Sequence, residues 1–453
     1  MNSKSTNPRA LTLMSHGVDS VTRSFKIAIQ GSGISGSTVA ERLIRLSNND
    51  KSENESQRRG QPKYEVTVFE SGRGPGGRMS TRRTGDKYRW DHGAQYFSPK
   101  TEAFANVVNN DWKKKGWCDV WNGRHCVWTR EHSSVIIDPN SMHRYVGTPG
   151  MNAICKGMLE DVNTVYGTRA VAKPTVDRSR NDAPGWTIRN GKTGEHLGEY
   201  DFLICTDKTS AMQYRNDIDI YNPKGKDKKD GGGSSSSSSS SVMDDFIRPA
   251  RRIRSNRGLA LMLAFTTTSD GQFFDFDSLT LDGHPHFSWL SRDDSKPGRR
   301  MGSGEGDRGV DNNIQCWVAH ASPKFIEEFF ESHKGRIRHA AAARQAIINK
   351  LVPKFEDLMR DLGGGGSNDK NGTEAVIAEL SPVKILMVQG HRWGAAVPVS
   401  SFSGGNGSVG KPFHLDVGSA FAACGDYFGP HPGQVEGGWI SGLNLADALH
   451  REL

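Results

Sequence analysis

The chain lacks the marks of several large protein classes. Only six of its 453 residues are cysteines (Cys118, Cys126, Cys155, Cys205, Cys316 and Cys424), and none stands in CxxC spacing. That argues against a structural zinc site or a disulfide scaffold and fits reduced thiols inside a cell. Hydrophobic residues make up 35% of the chain. The longest apolar runs, such as Leu259 to Phe265, are strand-sized, well short of the roughly 18 residues that a bilayer-spanning helix needs. The first 24 residues carry Lys4, Arg9 and Arg23 against Asp19 but no apolar signal core. Secretion is therefore not expected, and a cytoplasmic location is, with organelle import left open. The net charge is +8, but the excess gathers at Lys224 to Lys229 and Arg248 to Arg257, around an octaserine tract at Ser234 to Ser241. Such a stretch reads as a solvated low-complexity loop, so no nucleic-acid partner is expected.

Glycine, by contrast, is abundant, with 52 residues. Its most informative use lies between Lys26 and Arg83. Phe25 to Gln30 is a short apolar run suited to a buried parallel strand. It leads into Gly31-Ser32-Gly33-Ile34-Ser35-Gly36 and then a helical run. Gly31 permits a tight turn, Gly33 lets a pyrophosphate approach the backbone, and Gly36 lets helix and strand pack closely. The helix starting near Ile34 would point its N–H groups and positive dipole end at phosphates. After a polar stretch from Ser47 to Lys63, Tyr64 to Phe69 reads as the next strand. It ends in Glu70-Ser71, with Glu70 placed to accept from ribose hydroxyls. A second glycine loop, Gly72 to Arg78, follows at once.

The remaining pattern predicts a helix over Asn152 to Glu160, β runs at Thr164 to Val176 and Trp186 to Ile188, and a buried strand near Tyr200 to Thr206. Further strands are expected at Arg257 to Phe265 and Ile314 to Ala321, and helices at Pro323 to His333, Arg338 to Leu351 and Val435 to Leu449. Gly363 to Gly372 reads as another polar loop. The expected fold is α/β, a Rossmann-like FAD-binding domain built from both chain ends with an inserted α+β substrate domain of mainly antiparallel sheet. The expected division is 25–99, 151–215 and 414–453 for the cofactor domain, with 100–150 and 257–413 for the substrate domain. Residues 216–256 form the low-complexity insertion.

Gly76-Gly77-Arg78-Met79 resembles the second glycine loop of FAD-dependent amine-oxidase-like flavoproteins. Trp90-Asp91-His92-Gly93-Ala94-Gln95-Tyr96-Phe97, Tyr145 to Met151, Phe287 to Leu290 with Ser295 to Arg299, and Cys316 to Pro323 narrow the likeness to renalase and its relatives. His391-Arg392-Trp393 with Ala396-Val397-Pro398, Cys424-Gly425-Asp426, and Gln434-Val435-Glu436-Gly437-Gly438 extend it to the C-terminus. The resemblance implies FAD held by the two loops, by Gly93 to Tyr96, by Val171, and by Asp426 and Gln434 to Gly437. Asp426 would meet the ribityl chain or the pyrophosphate. The start of the Val435 helix would face the flavin edge where negative charge develops. Where the family often has arginine or tyrosine after HRW, this chain has Gly394-Ala395.

The resemblance further implies oxidation of a small dihydronicotinamide, an off-pathway isomer of NAD(P)H. Hydride would pass to flavin N5, and molecular oxygen would reoxidise the flavin to give hydrogen peroxide. Aromatisation drives that reaction, so orientation matters more than acid–base catalysis. Gln95, Tyr96, His391 and Trp393 are the expected lining of the ring site. Two other readings stay open: an FAD-dependent amine oxidase, whose usual lysine is absent from Gly258 to Phe265, and a non-catalytic flavin- or NAD-binding protein. A polyene isomerase or desaturase would want a long apolar tunnel, for which the polar composition offers little.

Overall fold

Phe25–Gln30 lies inside a six-stranded sheet whose order is His414–Asp416, Phe421–Ala423, Phe202–Cys205, Phe25–Gln30, Tyr64–Phe69 and Asn163–Val165. Neighbours run parallel throughout, apart from the antiparallel edge strand His414–Asp416. Ile27, Ala28 and Ile29 are fully buried, as a strand covered on both faces requires. The helices Ile34–Asn49 and Val435–Glu452 pack against each other beside this sheet. Gly438 and Gly442 permit the close crossing: a side chain at Gly442 would press on the Ser35 carbonyl oxygen. Both ends of the described chain thus build one α/β layer, a Rossmann-like fold. The structure is a computed structural model. It describes residues 24–49, 64–85, 87–130, 134–139, 142–177, 183–215, 217–219, 242–267, 274–299, 314–334, 340–363, 383–403, 410–429 and 432–453.

A second sheet has seven strands, in the order Val383–Pro398, Ser255–Thr267, Ile314–Ala321, Phe287–Arg292, Ser278–Asp282, His125–Thr129 and Ser134–Ile137. All its pairings are antiparallel except that between Ser278–Asp282 and His125–Thr129. Side chains alternate across it with the period of two that a pleated strand imposes. Leu259, Leu261, Leu263 and Phe265 bury against Ile347, Leu351 and Phe355 of the helix Ala340–Gly363 and Phe329 of the helix Pro323–Ser332. Met262 and Ala264 point the other way, onto Trp90, Cys316 and Val318.

Several elements are longer or more divided than the sequence pattern predicts. The run Thr164 to Val176 is two strands, Asn163–Val165 in the parallel sheet and Ala170–Asp177 in a separate three-stranded sheet. The helix expected to end at Leu351 continues to Gly363, carrying Phe355, Leu358 and Met359 into the second core. Of the expected insertion 216–256, residues 220–241, with the octaserine tract, lie outside the described residues. Its end does not behave as a solvated loop. Val242–Ile247 and Arg248–Arg252 are helical and place Val242, Phe246, Ile247, Ala250 and Ile253 in the core of the parallel sheet. Their apolar spacing is masked in the sequence by the arginines at 248, 251, 252 and 254. Of the expected loops Ser47 to Lys63 and Gly363 to Gly372, residues 50–63 and 364–372 lie outside the described residues, as do the first 23 residues, whereas Ser47 to Asn49 and Gly363 end helices. Among the described residues no helix is long and apolar enough to cross a membrane.

Candidate active site

A cavity of about 850 Å³ runs from the ends of the parallel strands to the antiparallel sheet. This size falls within the range of small-molecule and cofactor sites. Its first half is made largely of backbone. Gly31 turns with φ +104°, in the left-handed region, and Gly36 lies so close to it that a β-carbon there would collide with the Gly31 carbonyl oxygen. A β-carbon at Gly33 would meet only the Gly76 carbonyl, at 3.9 Å, so the loop stays open towards the cavity. Gly76 N–H donates to the Ser32 carbonyl at 2.9 Å, and Gly77 sits against Gly33, so the two glycine loops form one surface. Ile34 and Ser35, at the start of the first helix, reach this cavity. Gln434 and Val435, at the start of the terminal helix, reach it as well. Two helix N-termini therefore converge on it, which suits the negative charge of a dinucleotide pyrophosphate.

Glu70 and Arg78, two charged residues of this half, are each held by partners within the protein. Glu70 is buried, and Oε2 accepts from Ser32 N (3.0 Å) and Ser32 Oγ (2.6 Å), while Oε1 accepts from Gly72 N (2.5 Å). Its carboxylate braces both loops while still lining the cavity. Arg78 donates to both oxygens of Asp426, at 2.5 and 2.7 Å. This fork joins the second loop to the C-terminal motif across 348 residues. Burial acts to lower the Arg78 pKa, but the charge and hydrogen bonds of Asp426, with the charges of Asp207 and Tyr427, together outweigh it and raise it. Of the other predicted cofactor residues, Ser71, Gly93 and Ala94 line the cavity. Ser32, Gly36, Val171, Glu436 and Gly437 do not. Glu436 instead accepts from Lys100 N, Thr101 N and Thr101 Oγ1, tying the terminal helix to the start of the helix Glu102–Val107.

The second half is aromatic. Tyr96, Trp289 and Trp393 line it with Gln95 and His320. Gly93 is needed where it stands, because a β-carbon there would collide with the Arg78 carbonyl oxygen and lie 3.3 Å from the Trp393 ring. Trp393 Nε1 donates to the His92 carbonyl at 3.0 Å, and its ring stacks on His92. Arg144, paired with Asp138 at 2.5 Å, lies over the rings of Tyr96 and Trp289. His391 does not line the cavity. It stands behind Trp393, 4.3 Å between ring centres, and against His92.

Behind Gln95 is a buried charge cluster that sequence reasoning did not assign. Asp91 is held by Arg299 (2.5 Å), Lys296 (3.3 Å), Thr81 Oγ1 (2.7 Å) and Met151 N (3.1 Å). Burial acts to raise its pKa, but Arg299 and Lys296 overcome this and hold it down at about 2. Lys296 is fully buried and also pairs with Asp293. Gln95 donates to the Asp91 carbonyl and accepts from Ser291 Oγ (2.5 Å) and Lys296 Nζ (3.4 Å), so the cluster locks its side chain. Burial also keeps nearby histidines neutral: the pKa falls to about 3 for His92 and to about 4 for His320 and His391. The only sequence sign of this cluster was the recurrence of Asp91, Lys296, Arg299 and His320 within the quoted motifs. Among the described residues no group of acidic, histidine and cysteine side chains could hold a metal ion.

Residues 29–110 match the model of the NAD(P)-binding Rossmann-like domain family. Two solved structures are similar over nearly their whole length. An oxidoreductase from Methanosarcina mazei shares 10% identity and a TM-score of 0.54, covering 93% of this chain and 100% of that one. Cyclohexylamine oxidase from Brevibacterium oxydans IH-35A shares 11% identity and a TM-score of 0.52, covering 95% and 99%. The chain shares the fold of these two proteins. At such identities the likeness is one of architecture, and the matched segment contains both glycine loops, Glu70 and Gly93 to Tyr96.

Proposed function

We propose that this chain is an FAD-dependent oxidoreductase that oxidises a small dihydronicotinamide-type substrate, with molecular oxygen as final acceptor and hydrogen peroxide as product. Gly33, Gly77 and the two helix N-termini would hold the pyrophosphate. Glu70 would meet the ribose, and Gly93 to Tyr96 would flank the ring. When bound, the flavin supplies a two-electron acceptor for hydride. The domain division then follows function, with 25–99, 151–215 and 414–453 binding cofactor and 100–150 with 257–413 shaping the substrate compartment.

One observation carries the reading. Among the described residues that line the aromatic half there is no carboxylate and no lysine, and His320 has a pKa of about 4. A base that weak removes protons poorly near neutral pH. A dihydropyridine needs no such base, because aromatisation drives its loss of hydride. The chain's own work is to orient: Tyr96, Trp289 and Trp393 line the compartment with aromatic rings, and Gln95 is fixed from behind. Lys296 is occupied by Asp91 and Asp293 outside the cavity. Lys208, which does line it, donates to the Ile253 carbonyl at 2.7 Å.

The amine-oxidase reading draws on one observation, the fold shared with cyclohexylamine oxidase. Anaerobic mixing of the purified flavin-loaded protein with 2- and 6-dihydronicotinamide isomers, NADPH and a panel of amines separates the two. Rapid bleaching of the flavin by the isomers is expected. Bleaching by an amine and not by the isomers would overturn the proposal, and bleaching by none would favour a non-catalytic binding protein.

A further inference from the structure

Of the two basic runs in the sequence, which the proposed chemistry leaves unused, Lys224 to Lys229 lies outside the described residues and Arg248 to Arg257 lies within them. Most of its arginines lie on the short helix Arg248–Arg252 and the turn after it. Arg257 is different. It belongs to the strand Ser255–Thr267 and lines the cavity at its substrate end. The ladder slips at this point. Asn256 pairs with Val397 but Gly258 pairs with Trp393, so two residues of one strand span four of the other. Such bulges re-aim side chains, and they recur beside active sites. Gly394, Ala395 and Ala396 occupy the excess length and line the cavity opposite Arg257.

The electrostatics of the compartment are one-sided. The carboxylates lining the cavity (Glu70, Asp207, Asp217 and Asp426) all belong to the cofactor half. In the substrate half Arg257 is the only charged residue among the described lining, and the neighbouring His320 is neutral above about pH 4. Arg257 forms no ion pair with any described residue. Its guanidinium instead rests over the Phe330 ring, 4.5 Å from the centre, on the helix Pro323–Ser332, whose Pro323 and Ile326 also line the cavity. The head group is thus steadied by an aromatic face while its donors are committed to no described residue.

We infer that Arg257 is a specificity-determining residue, which holds the phosphate of a nucleotide-bearing dihydronicotinamide while the reduced ring lies between the aromatic side chains. This rests on the function proposed above and names which form of that substrate is preferred. A guanidinium recognises phosphate through paired N–H donors, and its charge disfavours an ammonium substrate at the same place. Gly394 is the second element. A β-carbon there would meet nothing within 4 Å, so the strand that pairs with Arg257's own leaves open space at this point of the cavity.

The test compares 2- and 6-dihydronicotinamide mononucleotide with the corresponding phosphate-free ribosides, using the flavin-loaded full chain. Wild type should favour the mononucleotides. Arg257→Gln should raise their KM by about tenfold, the scale of one charge-assisted contact at a partly solvated site, with kcat unchanged and the ribosides unaffected. Rising salt should erase the same preference. Arg257→Gln combined with Gly394→Arg, which returns the charge from the opposite strand, should recover part of it. Equal loss on both substrate forms would mark Arg257 as merely structural, and no loss on either would also overturn the inference; the parent function survives both results. If wild type oxidises amines and neither nicotinamide form, the parent reading falls and this one with it.

Discussion

The two halves of the cavity solve different problems with different materials. The first half is glycine backbone and helix N-termini, with Glu70 hydrogen-bonded to Ser32 and Gly72 and Arg78 paired with Asp426. The substrate half is aromatic side chain, with Gln95 fixed by a buried cluster and one arginine at the rim whose donors are committed to no described residue. On the proposed reading, a pyrophosphate would be met by fixed dipoles that need no side-chain rearrangement. A planar ring would be met by surfaces whose orientation depends on what lies behind them. The first half should therefore fail through local backbone strain, and the second through loss of distant support.

The largest expected effect breaks the support behind the aromatic half. Asp91→Ala leaves Lys296 and Arg299 buried without their shared partner, and should destabilise the fold by about 3–5 kcal/mol. Denaturant unfolding measures this, and a loss under about 1 kcal/mol would show that the cluster is no buttress. Next, Gly36→Ala drives a β-carbon onto the Gly31 carbonyl and should cost about 1–3 kcal/mol. The flavin absorbance of the purified variant reports the damage to the cradle. Retained cofactor at wild-type stoichiometry would contradict the close approach that Gly36 is assigned. The smallest effect near neutral pH comes from His92, His320 and His391, whose folded pKa values lie below the ordinary histidine value because of burial. The unfolded chain binds more protons than the folded one between about pH 6.5 and 4. Stability should accordingly be full above about pH 6.5 and fall as pH drops towards 4. Melting temperatures across that window check the sign, and His320→Gln should flatten the slope.

Legibility followed the same division. Gly31, Gly33, Glu70, Gly76 and Gly77 were readable because a strand, a turn and a helix start are all specified within a few residues. Glu436 was expected beside Val435 at the cofactor. Successive residues of an α-helix point about 100° apart, so when Val435 faces the cavity its neighbour faces Lys100 and Thr101. His391 and Trp393 lie two apart on one strand, yet only Trp393 reaches the cavity, and His391 packs behind it. Lys296 and His320 were visible inside motifs without a role, because their partners lie some 200 residues away. Arg257 was hidden among neighbouring arginines, and a register slip between two strands is what separates it from them.

Local order in the chain determined the cradle by itself: which glycines turn, where a helix points its amides, and which carboxylate ends the second strand. These features depend on backbone sterics and on neighbours a few residues apart. The tertiary structure decided everything that depends on charges and rings meeting across the chain. It paired Arg78 with Asp426, buried Asp91 with Lys296 and Arg299, kept His320 neutral and left the donors of Arg257 committed to no described residue. Coulomb forces and desolvation act through space, so only the packing of the two sheets could set them.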